Sequence, residues 1–147
     1  MKPEQAFVDT SLFLRYLTND IPAQADAVEQ LLHRAAAGEI TLITNSLVIA
    51  EIVWTLESYY QLSKESIQEK VFAILNTLGL DVAESDQILQ AITWYVDQNV
   101  DFADAFNAAW LLDHDMTLAY TFDHKHFSRL AGVTVRVPGA DEPTGTS

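Results

Sequence analysis

The sequence predicts an α/β protein with a mainly parallel sheet that helices cover on both faces. Short apolar runs alternate with segments of helical period along most of the chain, which is the pattern of strand–helix–strand units. The hydrophobic fraction of 49% allows a real core, and 147 residues are most simply one domain. We therefore predict one domain over residues 1–137. Residues 138–147 lack an apolar period and are predicted to be a disordered tail.

The predicted strands are short and mostly rich in β-branched residues, which favour extended backbone. In chain order they cover residues 6–8, 40–44, 80–82, 118–121 and 133–137. Parallel sheets bind ligands beyond the carboxyl ends of their strands. Residues that directly follow a predicted strand are therefore the first candidates for a functional site.

The predicted helices fill the intervals between these strands, and each has a start or stop signal. Asn19 and Asp20 end the first, Pro22 begins the second in its first turn, and Gly38 ends that one. The predicted helices cover residues 11–17, 22 to about 38, 45 or 46 to about 60, 63–79, 85 to at least 95, and 101 to at least 112. The three tryptophans lie in these segments and are predicted to be core: Trp54, Trp94 and Trp110.

Composition excludes several classes of protein. The chain has no cysteine, so it has neither a disulfide framework nor a thiolate metal site. No apolar run approaches the roughly 18 residues needed to span a bilayer, and no signal-type stretch precedes the first strand. We expect a soluble, cytoplasmic protein.

The charge balance is strongly acidic, with a formal net charge of −13 and only eight Lys and Arg residues. A protein that grips a nucleic-acid backbone normally carries a basic patch. Two interpretations stay open. The acidic residues form a merely solvated surface, or they are gathered in a metal site on a protein whose exterior suits a basic protein partner.

Four carboxylates recur beside apolar segments and are expected to be buried: Asp9, Glu51, Asp104 and Asp123. Buried carboxylates repel each other and lose hydration, so their burial must be offset. A divalent cation with oxygen ligands offsets it most directly, and Mg²⁺ is the usual ion where phosphate is the substrate.

Each of these acids also has a purely structural interpretation. Asp9 and Asp101 suit helix N-caps, and an acid at position 104 suits the positive end of a helix dipole. Glu51 fits the edge of an amphipathic helix, and Asp123 fits a turn.

Two polar residues share a face with these acids. Asn107 lies one turn beyond Asp104, where it is placed to bind a ligand or a metal-bound water. Thr121 precedes Asp123 by two residues, so on a strand both would point the same way.

The densest positive stretch comprises His124, Lys125, His126 and Arg129. A phosphate-facing or merely solvated role is favoured here over a His-x-His metal site. Arg15, six residues after the first acid, is the other cation expected near the site.

In chain order these motifs resemble those of PIN-domain ribonucleases. They are Phe7-Val8-Asp9-Thr10-Ser11, a helix with an inward Glu51, Asp101-Phe102-Ala103-Asp104-Ala105, and Thr121-Phe122-Asp123 followed four residues later by Phe127. The order of elements and residues 8–26 look most like the VapC-type toxins of bacterial type II toxin–antitoxin systems. The resemblance covers residues 7 to 137 and implies a three-layer α/β/α sandwich with a short parallel sheet.

The resemblance also implies an activity, hydrolysis of RNA phosphodiester bonds by an endoribonuclease that needs Mg²⁺ or Mn²⁺. Asp9 and Asp104 would bind the metal, with Glu51 and Asp123 binding through water, and all four would be catalytic. Accessory residues would be Asp101, Thr10, Ser11, Thr121 and Asn107, and phosphate contacts Arg15, Lys125 and Arg129.

The implied partners are an RNA substrate, a cognate antitoxin and a second copy of the chain, with no membrane. One competing hypothesis is a non-catalytic module whose carboxylates bind a basic protein segment. A phosphatase with an Asp nucleophile is disfavoured, because that chemistry calls for an acid two residues after Asp9, where Ser11 stands.

Overall fold

The computed structural model describes residues 4–122 and 124–139. Backbone contacts group the chain into two units, residues 1–85 and residues 86–147. Pro138 and Gly139 form a turn, whereas the rest of the predicted tail lies outside the described residues. The single domain over residues 1–137 stays a prediction.

The first unit contains a three-stranded parallel sheet in the order β1-β2-β3. In chain order its elements are β1 (Glu4–Phe7), α1 (Thr10–Thr18), α2 (Pro22–Ala36), β2 (Ile40–Thr44), α3 (Ser46–Ser58), α4 (Lys64–Leu75) and β3 (Leu80–Val82). Leu42 of the central strand pairs with Ala6 and Leu80 and is fully buried. Helix α1 packs against α2 and α3, and α3 packs against α4.

Among its described residues, the second unit contains a two-stranded parallel sheet and three helices. Its elements are α5 (Ser85–Asp97), α6 (Phe102–Asp113), β4 (Leu118–Tyr120), α7 (His124–Phe127) and β5 (Thr134–Arg136). The buried rings of Tyr95 and Phe102 meet edge to face, with centroids 6.3 Å apart. All strand pairs in the described residues are parallel, which confirms the predicted α/β class with a mainly parallel sheet.

Two helix starts have the caps expected from residue type, and one helix ends earlier than predicted. Asn45 accepts the N–H of Val48, and Ser63 accepts that of Ser66. The helix predicted to reach Gly79 ends instead at Leu75, because the next residues turn into β3.

The prediction that all three tryptophans are core is wrong. Trp54 is 71% exposed and Trp110 is 38% exposed, while Trp94 is partly buried. Helix α3 is apolar on nearly all sides, so its sequence does not indicate which side faces the sheet. The residues of α3 that the fold buries are Val48, Ile49, Ile52, Val53 and Leu56.

Within residues 4–122 and 124–139, no helix has the length and apolarity required to cross a bilayer.

Candidate active site

Asp9 lies at the carboxyl edge of the first sheet because the preceding residue is tied to β2 twice. The N–H of Val8 donates to the carbonyl of Ile43 at 2.8 Å. The hydroxyl of Thr44, which is fully buried, donates to the carbonyl of Val8 at 2.9 Å. The ends of β1 and β2 are therefore held side by side, as expected of neighbouring parallel strands.

The carboxylate of Asp9 is the N-cap of α1. Its Oδ1 accepts the backbone N–H of Ser11 at 3.1 Å and the hydroxyl of Ser11 at 2.7 Å. The structural interpretation of Asp9 is therefore confirmed, but it does not exclude a functional one. Both hydrogen bonds from described residues fall on Oδ1, which leaves Oδ2 as the oxygen that can face a ligand.

Glu51 reaches the same edge through β2. Asn45 directly follows that strand and caps α3, so the helix starts where the strand ends. Glu51 lies about one and a half turns further on. Its side chain is exposed, as is that of Asp9, so the prediction that these two acids are buried is wrong. Both carboxylates keep contact with water, and no cation is needed to offset their burial.

One cavity of about 550 Å³ joins the two acids. Its lining comprises Phe7, Asp9, Thr10, Ser11, Leu14, Asn45, Leu47, Val48, Glu51 and Thr55. Among the described residues that line it there is no Lys, Arg or His. The cavity therefore combines two carboxylates with several neutral oxygens, which is an environment for a cation rather than an anion.

The second unit carries the other described acids on α6. Asp101 is the N-cap, as predicted, but its side chain makes no capping hydrogen bond. Asp104 follows in the first turn and is partly buried, with Oδ2 3.4 Å from Nδ1 of His126. Asn107 is exposed one turn later. Asp123 lies outside the described residues.

His126, for which the sequence favoured a phosphate-facing or merely solvated role, contacts the start of α6. Its Nδ1 accepts the backbone N–H of Asp101 at 3.0 Å. Arg129, three residues later, donates to the carbonyl of Asn99 at 2.5 Å. The positive stretch therefore contacts the loop before α6. The histidine itself is visible in the sequence, but nothing in the sequence indicates that it contacts the start of α6.

Arg15, the predicted phosphate contact of the first unit, is also engaged with protein groups. Nε of Arg15 donates to the side-chain oxygen of Gln24 at 2.9 Å, and its guanidinium lies 3.5 Å from Oδ2 of Asp20. The hydroxyl of Tyr60 donates to the same Oδ2 at 2.9 Å. This hydrogen bond is the largest cause of a lowered pKa of Asp20, and the nearby Arg15 contributes.

The accessory residues fall in both units. Thr10 and Ser11 line the cavity beside Asp9. The N–H of Thr121 donates to the carbonyl of Arg136 at 3.0 Å, which extends the pairing of β4 with β5 by one residue. Lys125 is exposed.

The donor set suits a hard divalent cation. Within the described ranges, no group of three or more His, Asp or Glu side chains is arranged to hold a metal ion. Mg²⁺, however, is commonly held by one or two carboxylates, with waters and substrate phosphates filling its other positions. The pair Asp9 and Glu51 in one cavity meets that requirement.

Comparisons with known proteins identify the family. No curated protein matches the chain. A similar solved structure is VapC20 of Mycobacterium tuberculosis, described as a sarcin-ricin loop cleaving toxin. The two sequences are 19% identical, the match covers 84% of this chain and 93% of VapC20, and the TM-score is 0.37. Another is VapBC2 from Rickettsia felis bound to a promoter DNA fragment, 15% identical over 90% of this chain and 98% of its own, with a TM-score of 0.38. The model of the PIN domain family matches residues 6–133. The chain therefore belongs to the PIN domain family, and the predicted PIN-like α/β/α fold class is confirmed.

Proposed function

We propose that this chain is an endoribonuclease that hydrolyses RNA phosphodiester bonds with Mg²⁺ or Mn²⁺, and that it acts as the toxin of a toxin–antitoxin pair. The observation that carries the proposal is the cavity of the first unit. In a member of the PIN domain family, Asp9 and Glu51 line one cavity at the carboxyl ends of parallel strands, without a basic side chain among its described lining.

Asp9 and Glu51 are the residues of the first unit that would hold the ion, and Asp104 and Asp123 are proposed to complete the set. When bound, Mg²⁺ or Mn²⁺ would supply a lowered pKa of a water ligand and neutralisation of phosphate charge. Ser11 prepares Asp9 for this role because its two hydrogen bonds to Oδ1 fix the orientation of the carboxylate.

The neutral oxygens of the cavity have a separate task. Thr10 and Thr55 line the same cavity as the carboxylates, and hydroxyl groups donate to phosphate oxygens without adding charge. They are therefore suited to orient the scissile phosphate. Asp101, Asn107 and Thr121 are proposed to support the acids of the second unit.

The toxin role rests on the sequence resemblance of residues 8–26 to VapC-type toxins, which also supports a cognate antitoxin and a homodimer as partners. The expected result is that induced expression arrests growth, that Asp9→Asn does not, and that the product of an adjacent small reading frame relieves the arrest. Growth arrest by the inactive variant would contradict a toxin that acts by cleavage.

The enzymatic proposal is tested by mapping new RNA ends after incubation of total RNA with the purified chain. We expect discrete ends with Mg²⁺ or Mn²⁺, and none with EDTA or with Asp9→Asn in the presence of metal. Ends that persist with EDTA would contradict metal dependence, and full activity of Asp9→Asn would contradict the site.

A matched pair of variants separates the cavity from the general acidity of the surface. Glu51→Gln removes a charge from the cavity, whereas Glu69→Gln removes one from an exposed position on α4. We expect cleavage to be lost only in the first. If neither wild type nor any variant cleaves, yet a cationic peptide binds equally well with metal and with EDTA, the binding-module hypothesis replaces this one.

A further inference from the structure

The N-cap residue of α6 is hydrogen-bonded by a residue from elsewhere in the second unit. In a capping box, the third residue of a helix reaches back to accept the N–H of the N-cap residue. Asp104 stands at that third position, and Asp101 is the N-cap. Here the N–H of Asp101 instead donates to Nδ1 of His126 at 3.0 Å. His126 therefore takes the place that Asp104 would have in a capping box.

A second hydrogen bond holds the same loop. Arg129 donates to the carbonyl of Asn99, a residue with a left-handed backbone at φ = 52°. Phe127 and Leu130 follow His126 and Arg129 by one residue each, and both are buried, at 8% and 2% exposed. The segment 126–130 is thus anchored by two apolar side chains and holds the loop before α6 with two polar ones.

His126 also contacts the carboxylate of Asp104, but at a distance longer than a hydrogen bond. Their 3.4 Å separation falls within ion-pair distance, but it is longer than a good N–H···O hydrogen bond. It involves the same Nδ1 that already accepts the N–H of Asp101, so a neutral ring carries its proton on Nε2. The 3.0 Å hydrogen bond to the N–H of Asp101 fixes the orientation of the imidazole ring. The ring in turn limits where the carboxylate of Asp104 can lie.

We propose that His126 is a positioning residue for Asp104. Its Nδ1 holds the N-cap of α6, and its ring bounds the position of the carboxylate three residues later. This inference rests on the proposed function, in which Asp104 is one of the acids that serve the metal. It assigns His126 neither to the metal nor to phosphate.

The hydrogen bond itself is tested by NMR on the metal-free protein. With ¹⁵N labelling, we expect a scalar coupling across the hydrogen bond between the amide nitrogen of Asp101 and Nδ1 of His126. In His126→Phe we expect faster amide hydrogen exchange in the first turn of α6 and a shifted carboxyl resonance of Asp104. Absence of the coupling in wild type, or unchanged exchange and shift in the variant, would overturn the proposal.

The functional consequence is tested by rescue. In Asn the side-chain oxygen stands where Nδ1 stands in His, whereas in Gln it lies one bond further out. We expect RNA cleavage to fall on the order of 10- to 100-fold in His126→Phe and His126→Gln, the range typical of groups that orient metal ligands. His126→Asn should recover most of the loss, with circular dichroism confirming that every variant is folded.

A matched control is His33 on α2, an exposed histidine whose Nε2 lies 3.9 Å from Glu29. His33→Phe should change neither cleavage nor the α6 amides. Equal loss in His126→Asn and His126→Phe would overturn positioning through Nδ1. If wild type itself cleaves no RNA, the proposed function fails, and the NMR comparison still decides whether His126 positions Asp104.

Discussion

Asp9 has two tasks that its two oxygens divide between them. Oδ1 caps α1 through Ser11, and Oδ2 is the oxygen proposed to face the metal. A loss of cleavage on mutation could therefore reflect either a weakened helix or a lost ligand. The two effects are separable because Asn caps helices about as well as Asp does but carries no charge.

We predict that Asp9→Ala and Asp9→Asn are equally inactive but differ in stability. Asp9→Ala should lower the free energy of unfolding by about 1 kcal/mol, because the N–H of Ser11 loses its acceptor. Asp9→Asn should stay close to wild type. Urea unfolding measures both values, and equal stability of the Ala variant and wild type would show that the cap contributes nothing.

A second residue-scale prediction concerns Asp20, whose pKa is lowered first by the Tyr60 hydroxyl, then by a hydrogen bond with the Thr18 side chain and by Arg15. Tyr60→Phe should raise that pKa toward its ordinary value, as measured by NMR titration of the carboxyl carbon. Because the folded pKa lies below the unfolded one, the stabilisation is present above the unfolded pKa and is lost as the pH falls through the folded one. The stability difference between variant and wild type should therefore disappear in acid.

The neighbouring Tyr59 provides the control for this titration. It is 77% exposed, and its ring meets that of Tyr60 edge to face. Tyr59→Phe keeps the ring and removes only a hydroxyl, so the pKa of Asp20 should not change. A rise in both variants would contradict the assignment of the shift to the Tyr60 hydrogen bond.

At the scale of elements, residue type predicted where helices begin better than which side they bury. Asn45 and Ser63 cap α3 and α4 because their short polar side chains accept helix N–H groups. In α3, however, Trp54 and Leu47 are exposed while Ile49 and Ile52 are buried. All four are apolar, so only the position of the sheet distinguishes them.

The same limit explains the errors in the candidate site. Asp9 lies at the carboxyl edge, where a residue that directly follows a strand is expected. Glu51 reaches the same cavity through α3, which strand order alone does not indicate. Their exposure was not predicted, because apolar neighbours in sequence do not fix the direction of a side chain. The short α7, only four residues long, has no period to detect, so the contact of His126 with Asp101 was not foreseen.

We predict that a side chain at the glycine of the turn between α4 and β3 is strongly destabilising. Gly79 has a φ of +85°, and an added Cβ would lie 2.5 Å from the carbonyl carbon of Ala35 and 2.9 Å from its Cβ. Gly38 has a similar φ of +81°, with nothing within 4 Å of an added Cβ. Gly38→Ala should cost about 1–2 kcal/mol for its left-handed backbone alone.

Gly79→Ala should cost clearly more than Gly38→Ala, because the backbone of Ala35 must move as well. Thermal or urea unfolding of the two variants measures the difference. Equal losses would show that α2 can shift away from Gly79 without cost, and would contradict a close approach between α2 and this turn.

At the scale of the whole molecule, the acidic balance contrasts with an RNA substrate. The net charge is −13. Arg15 and Arg129, two of the predicted phosphate contacts, are hydrogen-bonded to protein groups. The structure therefore offers little to attract an RNA backbone over a long range, and a local cation in the cavity would have to supply most of the attraction.

This balance predicts an unusual salt dependence of RNA cleavage. Proteins that neutralise several phosphates with Lys and Arg lose affinity steeply as salt rises. Here the long-range interaction is repulsive, and salt screens it over a Debye length of about 10 Å at 0.1 M.

At fixed Mg²⁺, we expect kcat/KM for a long RNA to rise or stay level as monovalent salt increases from about 20 to 150 mM. A dinucleotide substrate, with one phosphate, should show a weaker dependence. A steep fall for the long RNA would contradict the repulsion and would return Arg15, Lys125 and Arg129 to direct phosphate contact.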